Sequence, residues 1–303
     1  MNRIVLAASL IAALAAFPAS AQQPKANIGY IGAADFTPLF VAKDKGFFDK
    51  HGLDATLTRI QIAPNVAPAI ISGDLQIGMG TGPNLLHAAE GGLPLVAIAG
   101  ASRMKKSNPI AGLLGRSGLS IKTPADLRGK KIGSPGLNTM LTEMLEKWLH
   151  DNKITRDQVT LVEVVFPQQR DMLKSGNIDA VITIEPFRSR MLSDGTAFTI
   201  ADYVGEVNPD LLAVLWLSRN DWAAANPKAV QAFRAAYAEA IEWCAKNADE
   251  SKKILAKYIG FASPVLPDYG VEVKLSDLEF FERVQRELGK LRAPVDVSKL
   301  VWK

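Results

Sequence analysis

The sequence is poor in residues that cross-link a chain or bind metals. It contains one cysteine and three histidines in 303 residues. A single cysteine excludes an intramolecular disulfide, and the position of Cys244 on an apolar helical stripe predicts a buried thiol. His51, His87 and His150 are far apart in the sequence, so they indicate no metal centre. Stability must therefore come from a hydrophobic core, for which 48% hydrophobic residues are sufficient.

Charge of one sign is not in large excess. The chain has 35 basic and 31 acidic residues, a formal net charge of +4. Its lysines and arginines are scattered, and the two pairs at 105–106 and 130–131 are typical of a solvated surface. A nucleic-acid-binding protein usually gathers such residues into a stripe. We therefore expect no nucleic-acid partner.

The sequence also lacks complete motifs of nucleotide-binding and hydrolytic enzymes. Gly78-x-Gly80-x-Gly82 is not followed by the third glycine of the dinucleotide fingerprint. Ser102-x-x-Lys105 has none of the companion motifs of serine hydrolases of that type. No phosphate-binding loop and no Gly-x-Ser-x-Gly elbow is present. We expect a protein that is not an enzyme and has no cofactor.

One apolar run stands out, at the N-terminus. Arg3 precedes apolar residues 4–17, Pro18 follows, and residues 19–21 read Ala-Ser-Ala. This order is typical of an export signal with its cleavage site, and the run is shorter than the roughly 20 residues of a membrane-spanning helix. No cysteine follows that could carry a lipid. Residues 1–21 are predicted to be a signal peptide, and the mature protein to reside in a periplasm without a lipid anchor.

Short apolar strands alternate with amphipathic helices along the mature chain. This rhythm favours parallel sheets covered by helices on both faces. The predicted strands are residues 26–31, 55–60, 75–79 and 95–99, and then 110–114, 131–133, 160–165 and 180–184.

An internal sequence similarity indicates that the chain has two lobes. Residues 69–78 (AIISGDLQIG) resemble residues 172–180 (MLKSGNIDA), and both read as a helix end, a Ser-Gly cap and the next strand. A separation of about 100 residues suits two similar α/β lobes. After residue 206 the pattern turns mainly helical, and we expect these helices to pack on the first lobe. The prediction is an α/β fold of two doubly wound sheets joined by a two-crossover hinge, with lobe 1 at 22–103, lobe 2 at 104–206 and a return to lobe 1 at 207–303.

Four segments carry a family resemblance. They are residues 42–48 (AKDKGFF) with 52–54 (GLD), residues 126–133 (DLRGKKIG), the two Ser-Gly helix ends, and residues 185–187 (EPF). With them the chain resembles the type II periplasmic solute-binding proteins of ABC importers, in the branch of aliphatic-sulfonate, taurine, nitrate and thiamine-pyrimidine binders. The resemblance implies capture of a small nitrogen- or sulfur-containing solute between two lobes. It also implies closure about hinges near 100–107 and 200–208, and delivery to a membrane permease driven by an ATPase.

Candidate ligand-binding residues follow the predicted strands, where helix N-termini meet the cleft. Ser, Thr and Asn at such positions can bind a ligand or cap a helix, and both interpretations stay open. Phe36 can stack on a planar ligand or close the core. The candidates are Asp35, Phe36, Thr37, Asn65, Thr81, Gly82, Asn84, Ser102, Ser134, Asn138, Thr139, Gln168 and Glu185.

Glu185 bears on the charge of the ligand. A carboxylate that faces a cleft repels a bare anion such as nitrate, so an aminosulfonate, an amide or a nitrogen heterocycle fits better. The alternative is that Glu185 caps a helix or pairs locally with Arg188 or Arg190. On the first interpretation, Glu185→Gln changes ligand preference more than melting temperature.

Two other functions remain open on the sequence. Thiamine-pyrimidine synthases share this fold and resemble this branch, but they use a cysteine-rich motif with a histidine, are cytosolic and carry no export signal. A two-lobed sensor that passes its ligand state to a receptor would have the same sequence features as an importer subunit.

Overall fold

The computed structural model describes residues 23–303, and the predicted signal peptide lies outside these residues. Within them the chain forms strands and helices in alternation through most of its length. The strands are β1 Lys25–Tyr30, β2 Asp54–Arg59, β3 Ile77–Gly80, β4 Leu95–Lys105, β5 Ala111–Arg116, β6 Lys131–Ser134, β7 Thr160–Glu163, β8 Ala180–Ile184, β9 Ala197–Ala201, β10 Asp210–Arg219 and β11 Asp268–Tyr269. The helices are α1 Thr37–Asp44, α2 Phe47–Lys50, α3 Val66–Ser72, α4 Gly82–Glu90, α5 Met140–Asp151, α6 Phe166–Lys174, α7 Phe187–Ser193, α8 Tyr203–Val207, α9 Asn220–Ala225, α10 Pro227–Lys246, α11 Ala248–Ile259 and α12 Leu275–Glu287.

Two sheets organise the fold. The first has the strand order β11-β4-β10-β3-β1-β2, and the second has the order β7-β6-β8-β5-β9. We call each sheet with its covering helices a lobe, the first and the second. The chain passes from the first sheet to the second between β4 and β5, and it returns between β9 and β10 through α8. The boundaries predicted at 103/104 and 206/207 stay predictions, and these two crossings lie beside them.

Strand direction differs from the parallel arrangement that the sequence predicted. β1 is parallel to β2 and β3, and β6 is parallel to β7 and β8. However, β10 is antiparallel to β3 and β4, and β5 is antiparallel to β8 and β9. A parallel pair needs a crossover connection within one sheet. Since β5 and β10 are the strands by which the chain enters a sheet from the other lobe, no such connection fixes their direction.

The helices after β10 pack on the first lobe. Helices α10 and α11 contact α1, and α12 contacts α4. In their core, Trp216 of β10 packs edge-to-face on Phe36, Phe233 and Tyr237 with ring centroids 5.4–5.6 Å apart. Each such pair contributes about 0.5–1.5 kcal/mol beyond its buried area. This cluster fixes Phe36 at the entrance to α1. Cys244 is buried, as its spacing predicted.

Membrane insertion was also considered for the helices. No helix within residues 23–303 combines the length and the apolar character that crossing a bilayer requires.

Candidate functional site

A cavity lies where the two lobes face each other. Ten lining residues come from the first lobe and seven from the second. They are Ile31, Asp35, Phe36, Gln61, Ala63, Met79, Thr81, Asn84, Met104 and Val214, and then Pro135, Thr139, Met140, Leu141, Val165, Phe166 and Ile184. Its volume is about 60 Å³, whereas a single water molecule needs roughly 15 Å³. The cavity therefore has room for a small solute.

Four helices begin at this cavity, two from each lobe. The residues that precede their first turns are Phe36 for α1, Thr81 for α4, Thr139 for α5 and Val165 for α6, and all four line the cavity. The first turn of a helix carries unpaired N–H groups and a partial positive charge. The cavity therefore presents hydrogen-bond donors from both lobes to whatever occupies it.

Two of these helix starts are capped by threonine. The Thr81 hydroxyl accepts a hydrogen bond from the Asn84 backbone N–H at 3.4 Å, and the Thr139 hydroxyl accepts one from the Thr142 N–H at 3.4 Å. Thr81 also donates to the Asn84 side-chain oxygen at 2.7 Å. Asn84 thereby holds its amide group toward the second lobe.

A buried carboxyl stands in the wall of the first lobe. Asp35 is 1% exposed, and Ser102 of β4 donates a hydrogen bond of 2.5 Å to its Oδ1. Burial raises the pKa of the Asp35 carboxyl, and the bond from Ser102 opposes that effect without cancelling it. No lysine, arginine or histidine within residues 23–303 contributes to this pKa. The carboxyl therefore has a neutral hydroxyl as its side-chain partner.

The lobes touch around the cavity. The Asn84 side-chain amide donates to the Asn138 carbonyl at 3.1 Å. On the other side, the backbone N–H of Ala34 donates to the Glu185 carbonyl at 3.4 Å. These two hydrogen bonds connect the lobes directly, so the structure represents a closed arrangement.

Five of the thirteen predicted residues line this cavity, namely Asp35, Phe36, Thr81, Asn84 and Thr139. Ser102 lies behind Asp35 and binds it. The other seven do not line it: Thr37, Asn65, Gly82, Ser134, Asn138, Gln168 and Glu185. For all thirteen residues a ligand-binding role stays a prediction.

The residues that do not line the cavity make local contacts or are exposed. The Thr37 hydroxyl donates to the Ala34 carbonyl at 2.7 Å, and the Ser134 hydroxyl donates to the Gly136 carbonyl at 3.0 Å. Gly82 packs against Phe281 of α12, so closely that a Cβ would come within 2.2 Å of the ring. The side chains of Asn65 and Gln168 are on the exposed surface.

Glu185 binds its own helix. Its Oε1 accepts a hydrogen bond from the Ser189 hydroxyl at 2.8 Å, and its Oε2 accepts one from the Ser189 N–H at 3.3 Å. Nη1 of Arg188 lies 3.8 Å from Oε1 of Glu185. Burial raises the pKa of the Glu185 carboxyl, although these neighbours oppose the effect. The geometry matches the local capping and pairing alternative.

The sequence reasoning missed the apolar wall. Apart from Phe36 and Gly82 it considered polar residues after strands, whereas twelve of the lining residues, Phe36 among them, are apolar. No local signal separates an apolar residue that faces a cavity from one in a core, because both follow the same periodicity. Gln61 is different: it is a polar residue two positions after the end of β2, and the rule that selected Asn65 would have found it.

A charged cluster elsewhere was considered as a metal site. His150 and Asp151 of α5 approach Glu287 of α12. The Lys147 ammonium already lies 2.5 Å from the Asp151 carboxylate and 3.1 Å from that of Glu287. Because Lys147 pairs with both carboxylates, this cluster is an interlobe ion-pair network.

With this geometry in place, comparison with known proteins assigns the family. The NMT1/THI5-like family model matches residues 33–251, which includes every residue that lines the cavity from Asp35 onward. The chain belongs to the NMT1/THI5-like family. This membership confirms the resemblance inferred from the four sequence segments.

Two curated relatives of this NMT1/THI5-like chain are binding proteins. The nitrate/nitrite binding protein NrtA of Nostoc sp. is 28% identical over 265 residues, which are 79% of this chain and 59% of that protein. The taurine-binding periplasmic protein of Escherichia coli K12 is 29% identical over 227 residues, 74% of this chain and 68% of that protein. The chain thus spans less than two thirds of the first relative.

Solved structures share the fold. The alkanesulfonate-binding protein SsuA of Xanthomonas axonopodis pv. citri superposes with a TM-score of 0.80 at 20% identity, over 93% of this chain and 99% of SsuA. The desulfurization enzyme DSZB superposes with a TM-score of 0.67 at 17% identity, over 92% and 96%. The two-lobed α/β fold is therefore confirmed, and the same fold occurs in an enzyme.

Proposed function

We propose that the protein is the solute-binding subunit of an ABC importer and acts outside the cytoplasm. The observation that carries the proposal is the cavity between the lobes, into which two helix N-termini of each lobe converge. A solute that accepts hydrogen bonds from both lobes stabilises the closed arrangement relative to an open one. The solute thereby shifts the population toward closure.

The proposed motion uses the two chain crossings. Residues 106–110 and 202–209 connect the sheets, and they are the segments that can absorb a rotation of one lobe against the other. In the closed form a membrane permease with its ATPase would recognise the two lobes together. Taurine and alkanesulfonate, which two of the similar proteins bind by name, support a small organic solute that contains nitrogen or sulfur, either taurine-like or sulfonate-like, or pyrimidine-like as the family resemblance implies.

Export and capture can be tested in one preparation. The full gene is expressed in a bacterial host, and the protein is purified from the periplasmic fraction. Its N-terminus is sequenced, and cleavage after residue 21 is expected. Solute released by denaturation is identified by mass spectrometry. Its addition to the refolded protein should raise the melting temperature and reduce the radius of gyration in solution X-ray scattering.

An enzyme is the competing function, because DSZB shares the fold. The same experiment separates the two. A binding protein returns the solute chemically unchanged after prolonged incubation, whereas an enzyme returns a product. Recovery of a product, or the absence of any bound or binding solute, would refute the proposed function.

A further inference from the structure

The cavity has one ionisable side chain. Of the seventeen residues that line it, twelve are apolar, four are neutral and polar, and Asp35 alone carries a titratable group. Lysine, arginine and histidine are absent from this lining, all of which lies within residues 23–303. The side chains therefore offer a negative charge and no positive one.

Asp35 is poorly compensated by the protein itself. It is 1% exposed, and its partner Ser102 is a neutral hydroxyl. A carboxylate removed from water needs an opposite charge or several hydrogen-bond donors. The wall of the cavity holds no cation that would complete the pair. Without a ligand the raised pKa of Asp35 favours its protonated form, and a cation that arrives with the solute would stabilise the carboxylate.

The rest of the lining indicates the chemical character of the remainder of the solute. Met79, Met104 and Met140 present flexible thioethers that adapt to different apolar shapes. Phe36 and Phe166 place one aromatic ring in each lobe, and aromatic faces attract ammonium groups. This wall solvates a polar inorganic ion poorly and a compact organic cation well.

We propose, building on the proposed function, that the solute is a small organic amine or amidine whose protonated nitrogen binds the Asp35 carboxylate while its apolar part packs on the methionine and phenylalanine wall. A helix N-terminus at the cavity can then bind an acceptor group elsewhere on the solute, so an aminosulfonate fits and a bare anion does not. Asp35 is the residue that selects for the basic nitrogen.

The helix N-termini by themselves would favour an anion, but two observations limit that effect. The Thr81 and Thr139 hydroxyls already accept N–H groups of α4 and α5. The partial charge of a helix terminus is also smaller than the full charge of an ionised, water-excluded carboxylate. An anion without a basic nitrogen would face Asp35 with no intervening cation.

The test uses two matched pairs of probes in calorimetry at millimolar concentration. Taurine is compared with ethanesulfonate, which lacks the amine, and isobutylamine is compared with isobutanol. We expect each amine to bind at least tenfold more tightly than its partner. Asp35→Asn should weaken amine binding at least tenfold and change the binding of the partners less than twofold. Asp249→Asn on α11, a 94% exposed carboxylate, is the matched control and should change neither.

A pH series keeps the proposal testable if Asp35→Asn does not fold. Amine binding to the unsubstituted protein, measured from pH 8 downward, should weaken as the pH falls towards the raised pKa of Asp35, because the carboxylate takes up a proton. The other titratable groups whose charge reaches Asp35 are Tyr237 and Tyr269, and burial raises the pKa of both far above this range. Amine binding that stays constant down to the pH at which the protein unfolds would contradict the proposal.

The outcomes separate this inference from the proposed function. If ethanesulfonate or nitrate binds as tightly as the amines and closes the lobes, the inference fails and solute capture stands. Failure of both amines to bind also overturns the inference. If an amine binds and is converted to a product, Asp35 keeps its role and the binding-protein function fails.

Discussion

Gln285 of α12 donates a hydrogen bond of 2.9 Å to Oε1 of Glu143 on α5, which joins the two lobes through a pair of fully buried side chains. The other carboxylate oxygen of Glu143 has no hydrogen-bond partner within the described residues. His87 lies 3.6 Å from the bonded oxygen. Because the two residues belong to different lobes, separation of the lobes would break this bond, and the pair is one specific contact of the closed arrangement.

Gln285→Ala should favour the open form. It leaves the Glu143 carboxylate buried without its donor, which costs about 1–3 kcal/mol in the closed arrangement. We expect a larger radius of gyration in solution X-ray scattering of the ligand-free protein. Glu279→Ala, an exposed glutamate on the same helix, is the control. Equal radii for the variant and the control would show that the contact does not govern closure.

Asp35→Asn should flatten the pH dependence of stability in the ligand-free protein. Burial raises the pKa of Asp35 above the value of about 3.9 that it has when unfolded. Between the two values the native state holds a proton that the unfolded state has released, so stability falls as the pH rises through this window. Urea unfolding at several pH values would measure this. A decline of the same slope in the variant would assign it to another group.

Gly82→Ala should disturb both packing and binding. The added Cβ would lie 2.2 Å from Cδ2 of Phe281, a buried ring, and overpacking of this kind costs about 1–3 kcal/mol. Since Gly82 opens α4, the shift displaces the Thr81 and Asn84 side chains that line the cavity. Gly270→Ala, whose Cβ meets nothing within 4 Å, is the matched control. Equal melting temperatures for the two variants would contradict this account.

Glu185→Ala should lower stability and leave ligand preference unchanged. It removes the acceptor for the N–H and hydroxyl of Ser189 at the start of α7, a loss of about 1 kcal/mol. Ser189→Ala should have a similar effect, and the double variant should cost less than the sum because the two residues share the interaction. A change of ligand preference in calorimetry would instead place the Glu185 carboxyl in contact with the solute.

Local signals predicted the regular elements well where they were strong. Helix α3 ends at Ser72, where the Ser-Gly pair of residues 72–73 predicted a helix end, since such an end is a short-range feature. Strand β4 is longer than predicted, reaching Lys105 instead of residue 99. Its second half is polar, and it is extended because β10 and β11 pair with it on both sides. Pairing at that distance leaves no trace in local sequence.

At the candidate site, too, the sequence predicted what depends on local signals and not what depends on distant partners. Thr81 and Thr139 were found because helix capping is local and both follow a strand. Ser102 was a candidate for the ligand, but its hydroxyl binds Asp35, which is 67 residues away in the chain. The predicted importance of Glu185 rested on its position after β8, and only the folded structure shows that Ser189 takes up its carboxyl. Side-chain partners are set by tertiary packing, which periodicity does not encode.

The place of β10 has a consequence for the order in which the protein is made. β4 pairs with β10 and β11 and not with β3, so the eleven strand residues that pair with it come from the last third of the chain. In the folded protein, residues 95–102 of β4 are all buried. During synthesis β4 stays unpaired until β10 has been made, whereas the second sheet, whose strands are contiguous in the chain, can already assemble. A nascent chain that has not reached residue 210 thus exposes β4 as an edge prone to aggregation. Keeping the nascent chain unfolded until its synthesis is complete would protect this strand.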